Sequence, residues 1–238
     1  MKKVWTTKVI TLYPEMFPGA LKYSVTGKAL ENKLWSIKII NLRDFGCGKH
    51  KNVDDSPAGG GAGMILRADV VSRSLDSATA DLDTLNETWP IICLTPRGNP
   101  LSQKISKTFA KSNGIIVLCG KFEGIDERVI KKWKMLEVSI GDFIISGGEI
   151  AAMALIDSCV RHIPGVLGNK ESNKRESFTN DLLEYPQYTR PANWNGLKIP
   201  HVLLSGHHEK IEAWRTQKSL DITKKRRPDL WKKYKKNP

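Results

Sequence analysis

Apolar residues fall into short runs separated by polar turns, and the spacing within the runs alternates between two periods. Val9, Ile10, Thr11, Leu12 and Tyr13 read as a strand stopped by Pro14. Ala29, Leu30 and Leu34 then fit one face of a short helix, and Ile37, Lys38, Ile39 and Ile40 form the next strand. Further on, Trp89 to Leu94 is a buried strand running into the turn Thr95, Pro96, Arg97, Gly98. Leu101, Ile105 and Phe109 repeat at helical spacing, and Ile115, Ile116, Val117 and Leu118 make a fully apolar strand. A last run, Phe143, Ile144 and Ile145, sits between glycines and reads as a buried strand end. Glu149 then opens a long apolar helix with Met153, Ile156 and Val160 on one face, ending near Pro164 and Gly165. Strands alternating with helices predict an α/β sheet. No G-x-G-x-x-G follows the first strand, which argues against a dinucleotide fold of the Rossmann type.

The pattern changes after Gly165. Residues 165–179 are polar and charged and read as a linker, expected to be mobile without a partner. Beyond it, Ile211, Trp214 and Arg215 return to helical spacing, and Lys224 to Arg227 with Lys232, Lys233, Lys235 and Lys236 make the end strongly basic.

Two glycine-bearing turns follow apolar runs, at residues 118–129 and 138–149. They fit either two tight turns or two walls of a small-molecule pocket at the carboxyl ends of α/β strands. Gly141 would allow close backbone approach, Gly147 and Gly148 a sharp exit turn, and the first turn of the following helix offers free N–H groups. From its residues alone the densest glycine stretch, 54–64, fits a mobile surface loop or a phosphate cradle. No Lys-Ser/Thr pair follows it, so it is not a P-loop.

Composition narrows the partner. At 238 residues, with 40% hydrophobic and 26% charged, the chain can bury a core, and a net charge of +13 points to a polyanion, nucleic acid before membrane. No secretory signal or membrane-length apolar run is present. Cys47, Cys93, Cys119 and Cys159 are far apart, and His207 and His208 are adjacent, so neither metal spacing nor a disulfide framework appears; a reducing cytoplasm is expected.

The stretch CGKFEGIDERV followed by SIGDFIISGGE resembles the signature of the bacterial tRNA (guanine-N1)-methyltransferase family (TrmD), of the knotted SPOUT class. The segments TLYPEMF, NLRDFG, RHIPGVLG and LLEYPQYTRP and the glycine-rich loop extend the likeness over nearly the whole chain. The resemblance implies a deep trefoil knot within residues 1–164, a linker at 165–179, and a small, mostly helical tRNA-binding domain at 180–238. It also implies S-adenosylmethionine as methyl donor, held by Leu94, Thr95, Pro96, Gly120, Phe122, Glu123, Ile140, Gly141, Asp142, Phe143, Ile144, Ile145, Gly147 and Gly148. The glycine-rich stretch 54–64 would be a wall of the tRNA and cofactor site. Glu176 would be the general base and Arg161 would stabilise charge on guanine O6, in a homodimer whose active site combines the knotted domain of one subunit with the linker and C-terminal domain of the other, and which modifies the guanosine 3′ of the anticodon and so supports reading-frame maintenance. Magnesium is reported for the family, but no carboxylate cluster marks a site. The chain departs from the family pattern at Ala62 (proline), Arg97 (glutamine), Glu176 (often aspartate) and Asp181 (glycine). Two other readings remain open: a sister enzyme acting on ribose 2′-OH, and a noncatalytic RNA-binding module.

Overall fold

The computed structural model describes residues 4–82, 89–168 and 176–236, and the chain divides into two compact units, 1–168 and 169–238. In chain order the first unit contains β1 (Trp5–Thr11), α1 (Ser24–Glu31), β2 (Trp35–Asn41), the short β3 (Asp54–Asp55) and β4 (Ile65–Leu66), α2 (Ala68–Thr79) and β5 (Ile91–Pro100). It continues through α3 (Gln103–Lys111), β6 (Gly114–Leu118), α4 (Glu127–Lys132), β7 (Leu136–Ser139) and α5 (Gly148–Val160).

Five strands form a parallel sheet in the order β2-β1-β6-β5-β7. Parallel sheets are covered on both faces, which is why β6 reads as a continuous apolar run and β1, though it carries Thr and Lys, is buried at six of its seven positions. The pleat then divides each run between two cores. Val9, Ile115 and Val117 join Leu155 and Ile156 of α5 on one face, while Ile10, Ile116 and Leu118 meet Val70, Val71 and Leu75 of α2 on the other. Lys8 is buried yet satisfied: its ammonium donates to the Ala78 carbonyl at 2.7 Å and pairs with Asp81. That contact ties the end of α2 to β1, where the helix's last carbonyls welcome a cation.

Three local expectations are corrected. Leu34 lies beyond α1, which stops at Glu31; its N–H instead closes the turn onto the Ala29 carbonyl at 2.9 Å. Residues 143–145 are not a buried strand end, because β7 is the sheet's edge and ends at Ser139. With no strand beside it, the run becomes a loop with Phe143 53% and Ile144 82% exposed. The third concerns β5. Val138 is opposite both Leu94 and Asn99, so residues 95–98 leave the ladder as an excursion and return to it.

The second unit contains a hairpin, β8 (Asn193–Trp194) and β9 (Leu197–Lys198), then α6 (His201–Leu204), α7 (His208–Arg226) and α8 (Pro228–Lys236). Asn195 (φ 51°) and Gly196 (φ 84°) make its two-residue turn, for which Asn-Gly is the favoured pair. Residues 165–168 of the expected linker belong to the first unit, and 169–175 lie outside the described residues. From Glu176 onwards the chain is part of the second unit: Ser177 Oγ accepts the Glu184 N–H at 3.0 Å, and the Phe178 and Leu182 backbones meet at 2.6 Å.

Candidate functional site

A cavity of about 360 Å³ opens where β5, β6 and β7 end. Three chain segments wall it. Leu94, Thr95, Pro96 and Arg97 come from the β5 excursion; residues 120–125 follow β6; and Val138 to Gly141 with Phe143, Ile144 and Ile145 follow β7. The start of α5, at Gly147, Gly148 and Ala151, closes the fourth side. Of the residues implied as cofactor-binding, all line this cavity except Asp142. Phe143, on the next residue, faces the cavity in its place.

The glycines act by proximity. At Gly148 a Cβ would come within 2.7 Å of the Gly120 nitrogen and 2.8 Å of Cys119 Cα, and the Gly148 N–H donates to the Gly120 carbonyl at 2.8 Å. The start of α5 is thereby pressed against the end of β6. Gly147 is extended (φ 178°) and neither it nor Gly148 occupies the left-handed region, so the expected sharp turn is instead an extended entry into the helix. Gly141 does need its freedom: φ is 149°, and a Cβ there would lie 2.5 Å from the Phe143 ring.

Two polar contacts fix this arrangement. Lys121 Nζ donates to the Ser146 carbonyl at 2.7 Å, bridging the loops after β6 and β7. Glu149, 2% exposed, accepts the Thr11 hydroxyl at 2.8 Å and holds the first turn of α5 to the end of β1. Sequence reasoning missed both, since a lysine after glycine and a glutamate at a helix start carry no spacing signal. The N–H groups of Phe143, Ile144 and Ile145 have no protein hydrogen-bond partner among the described residues, so they are available donors.

Nucleophilic cysteine chemistry does not fit. Burial pushes the Cys93 thiol up to about 12, and burial followed by the Glu149 charge raises Cys119 well above its ordinary value. A thiol so disfavoured as thiolate is inert.

A wider groove of about 1270 Å³ adjoins the cavity, and Arg97, Glu123 and Ile125 line both. Its far wall is the start of the glycine-rich stretch, Asp55 to Ala58, together with Arg67, Asp69 and Arg73. The Arg67 guanidinium holds the Asp69 carboxyl well below the usual carboxylate range. Gly63 (φ 84°) is where this stretch touches the pocket: a Cβ would meet Glu123 Cγ at 2.5 Å, and Met64 accepts the Glu123 N–H at 2.9 Å. The ends of the glycine stretch therefore meet the groove, at Asp55 to Ala58 and at Gly63 on Glu123, while residues 58–63 are exposed and Gly59 to Gly61 face open space, as a surface loop does.

Arg161 is not on the cavity. It caps the far end of the 13-residue α5, so at 1.5 Å per residue it lies ~20 Å from Gly148. Glu176 belongs to the second unit, where its carbonyl accepts the Thr179 N–H at 3.2 Å. Among the described residues no cluster of three or more His, Cys, Asp or Glu could hold a metal ion, and no helix is long and apolar enough to cross a membrane.

Comparison with known proteins bears on both units. The family model for tRNA (Guanine-1)-methyltransferase TrmD matches residues 5–233. A Ruegeria protein named tRNA (guanine-N(1)-)-methyltransferase is 56% identical over 231 residues, covering 97% of this chain and 93% of the relative. Relatives of the same name from Cereibacter sphaeroides (54% over 234 residues, 98% and 94% covered) and Brucella ovis (52% over 229 residues, 96% and 92%) match as fully. A match spanning the sheet, its loop-walled cavity and the basic second unit shows that the chain belongs to the tRNA (guanine-1)-methyltransferase family TrmD.

Proposed function

We propose that this protein methylates N1 of the guanosine at tRNA position 37, using the loop-walled cavity for S-adenosylmethionine and the adjoining groove for the target nucleotide. The observation that carries the reading is the continuity of the two spaces through Glu123. The cavity suits a nucleoside-sized ligand: it is about 360 Å³, apolar along Leu94, Ile140 and Ile145, and edged by unpaired backbone N–H groups. When bound there, S-adenosylmethionine supplies an electrophilic methyl group with a neutral thioether as leaving group. The family's knot is read onto the segments after β6 and β7 that form two of the walls.

Guanine N1 is a poor nucleophile while it carries its proton. Glu176 is the general base that removes it, a role worth roughly 10²–10⁴ in rate. As the proton leaves, negative charge grows on O6, and Arg161 meets it with a guanidinium. Glu123, on the rim shared by cavity and groove, is placed to accept from the guanine N–H edge.

The position of Arg161 argues for a homodimer. One helix cannot bring its N-terminus and a residue ~20 Å along it to the same guanine. A second copy supplies the missing arginine, so each site is shared. Exposed apolar side chains at Tyr23, Phe143, Ile144 and Ile150 suit such a contact. The basic α7 and α8 contribute phosphate contacts to tRNA, and the cytoplasm is the compartment that provides it. No magnesium site is assigned.

The test is transfer of labelled methyl to two unmodified tRNA transcripts, one with guanosine at 37 after guanosine at 36, the other with adenosine at 37. Label on the first alone, mapped to base N1, is expected. Label on a ribose oxygen would favour the sister enzyme, and no label with tRNA still bound would favour a binding module.

A further inference from the structure

The β5 excursion is the cavity wall that leaves the sheet and returns to it. Its stem is fixed where Leu94 and Asn99 flank Val138, and Gly98 lies so close to the β7 backbone that a Cβ would strike Val138 N. Thr95 and Pro96, which face the cavity, stand between those anchors. Arg97 is the excursion's side chain that reaches out to other elements. Its Nε donates to Glu137 Oε1 at 2.7 Å, and its Nη2 donates to Glu127 Oε2 at 2.7 Å. Glu137 belongs to β7, which leads into the second wall; Glu127 opens α4, directly after the 120–125 wall.

We propose that Arg97 is a positioning residue for the methyl donor: one guanidinium ties together all three loop walls of the cavity and holds them at the spacing that grips S-adenosylmethionine. The proposal rests on the placement of the cofactor in this cavity. A planar fork can serve two carboxylates, 30 and 40 residues further along the chain, from two N–H groups on one edge, which a lysine's single point charge does not do with the same geometry. A neutral amide in that place forms no ion pair with either glutamate.

The side chains of Arg97, Glu127 and Glu137 are 58%, 48% and 29% exposed. Charges so placed are screened by salt, and their contribution is modest. The walls should therefore loosen as ionic strength rises, and cofactor affinity should fall with them even when no RNA is present.

Calorimetric titration of S-adenosylmethionine into the full-length protein without tRNA tests this, for the wild type, Arg97→Gln, Arg97→Lys and the double variant Glu127→Gln/Glu137→Gln. At low salt Arg97→Gln is expected to bind about fivefold more weakly, as two partly exposed ion pairs allow. Arg97→Lys should recover little of the loss, and the glutamate double variant should match Arg97→Gln. At about 1 M salt the gap from wild type should close to within about twofold. In turnover the loss should appear in KM for the cofactor, with kcat at saturation changed less than about twofold. Wild-type affinity of Arg97→Gln at low salt would overturn the proposal. So would a loss that salt leaves unchanged and that tracks a fall in Tm, which marks an ordinary structural defect. Ile144→Asp, in the cavity wall, separates the underlying assumption: if it binds the cofactor normally, the placement of the cofactor fails. If it loses binding while Arg97→Gln does not, the tie alone fails.

Discussion

The two units of this protein are held together by different physics. In the first, Ile115, Ile116, Val117 and Leu118 are fully buried, with α2 on one face and α5 on the other. In the second, Thr223 and Leu230 are the buried residues among those described, and much of the rest is aromatic and cationic contact. Trp231 stacks on Tyr234 at 5.6 Å, Tyr188 meets Trp214 edge-on at 6.1 Å, and the guanidiniums of Arg215 and Arg227 lie over Tyr185 and Phe178. A dry double-sided core can hold loops to the tolerance that a small-molecule cavity needs. A thin core bounded by cations suits a polyanion, whose phosphates are bound by charge and position more than by depth. On the proposed function the division of labour is cofactor grip in the first unit, with proton removal and RNA contact in the second.

The largest expected effect tests that division at its boundary. Glu176→Gln should lower turnover by roughly 10²–10⁴ while S-adenosylmethionine affinity, measured calorimetrically, stays at the wild-type value. Unchanged turnover would remove Glu176 as base, and a parallel loss of cofactor affinity would erase the separation of roles.

Next in size, Leu155→Ala empties space in the fully buried core and should cost about 2–5 kcal/mol in denaturant unfolding. Leu230→Ala, in the thin core, should cost less than that and show mainly as weaker tRNA binding. Equal costs would mean the second core is denser in effect than its burial suggests.

Gly148→Ala sharpens the comparison within the first unit. The added methyl meets backbone at Gly120 and Cys119, which cannot swing away as a side chain can, so overpacking of about 1–3 kcal/mol is expected. Cofactor affinity should fall by about tenfold while tRNA binding is kept.

The smallest effect is acid stability of the second unit. The Arg227 guanidinium, 2.8 and 2.6 Å from the two carboxylate oxygens, brings Asp229 down to about 2 from an ordinary 3.8. The folded value is the lower one, so the pair's contribution is complete above about pH 4 and is lost as pH falls towards 2. Asp229→Asn should flatten that stretch of the acid-unfolding profile of helical circular dichroism and leave the shape of the pH dependence above pH 5 unchanged.

Much of this molecule is local and therefore legible. β6, α3 and α5 follow from periodicity because each buries what its own sequence supplies. Net charge pointed to nucleic acid, the partner class that membership of a tRNA methyltransferase family implies. The failures have a common cause. Residues 143–145 have the composition of a strand, but a strand exists only where a neighbour offers a ladder, and β7 is the edge. The 95–98 excursion looked like a plain turn, because two residues sharing one partner across the ladder leave no mark in sequence.

By itself, then, the sequence determined the alternation of strands and helices, the basic second unit, the family, and the glycines at which backbones must meet. Tertiary structure alone decided that Gly148 touches Gly120, that Arg97 reaches Glu127 and Glu137, and that Asp142 is off the cavity. The physical reason is range. Propensity and periodicity act over a few neighbouring residues, whereas these contacts join segments tens of residues apart, and their partners are chosen by how the sheet orders its strands.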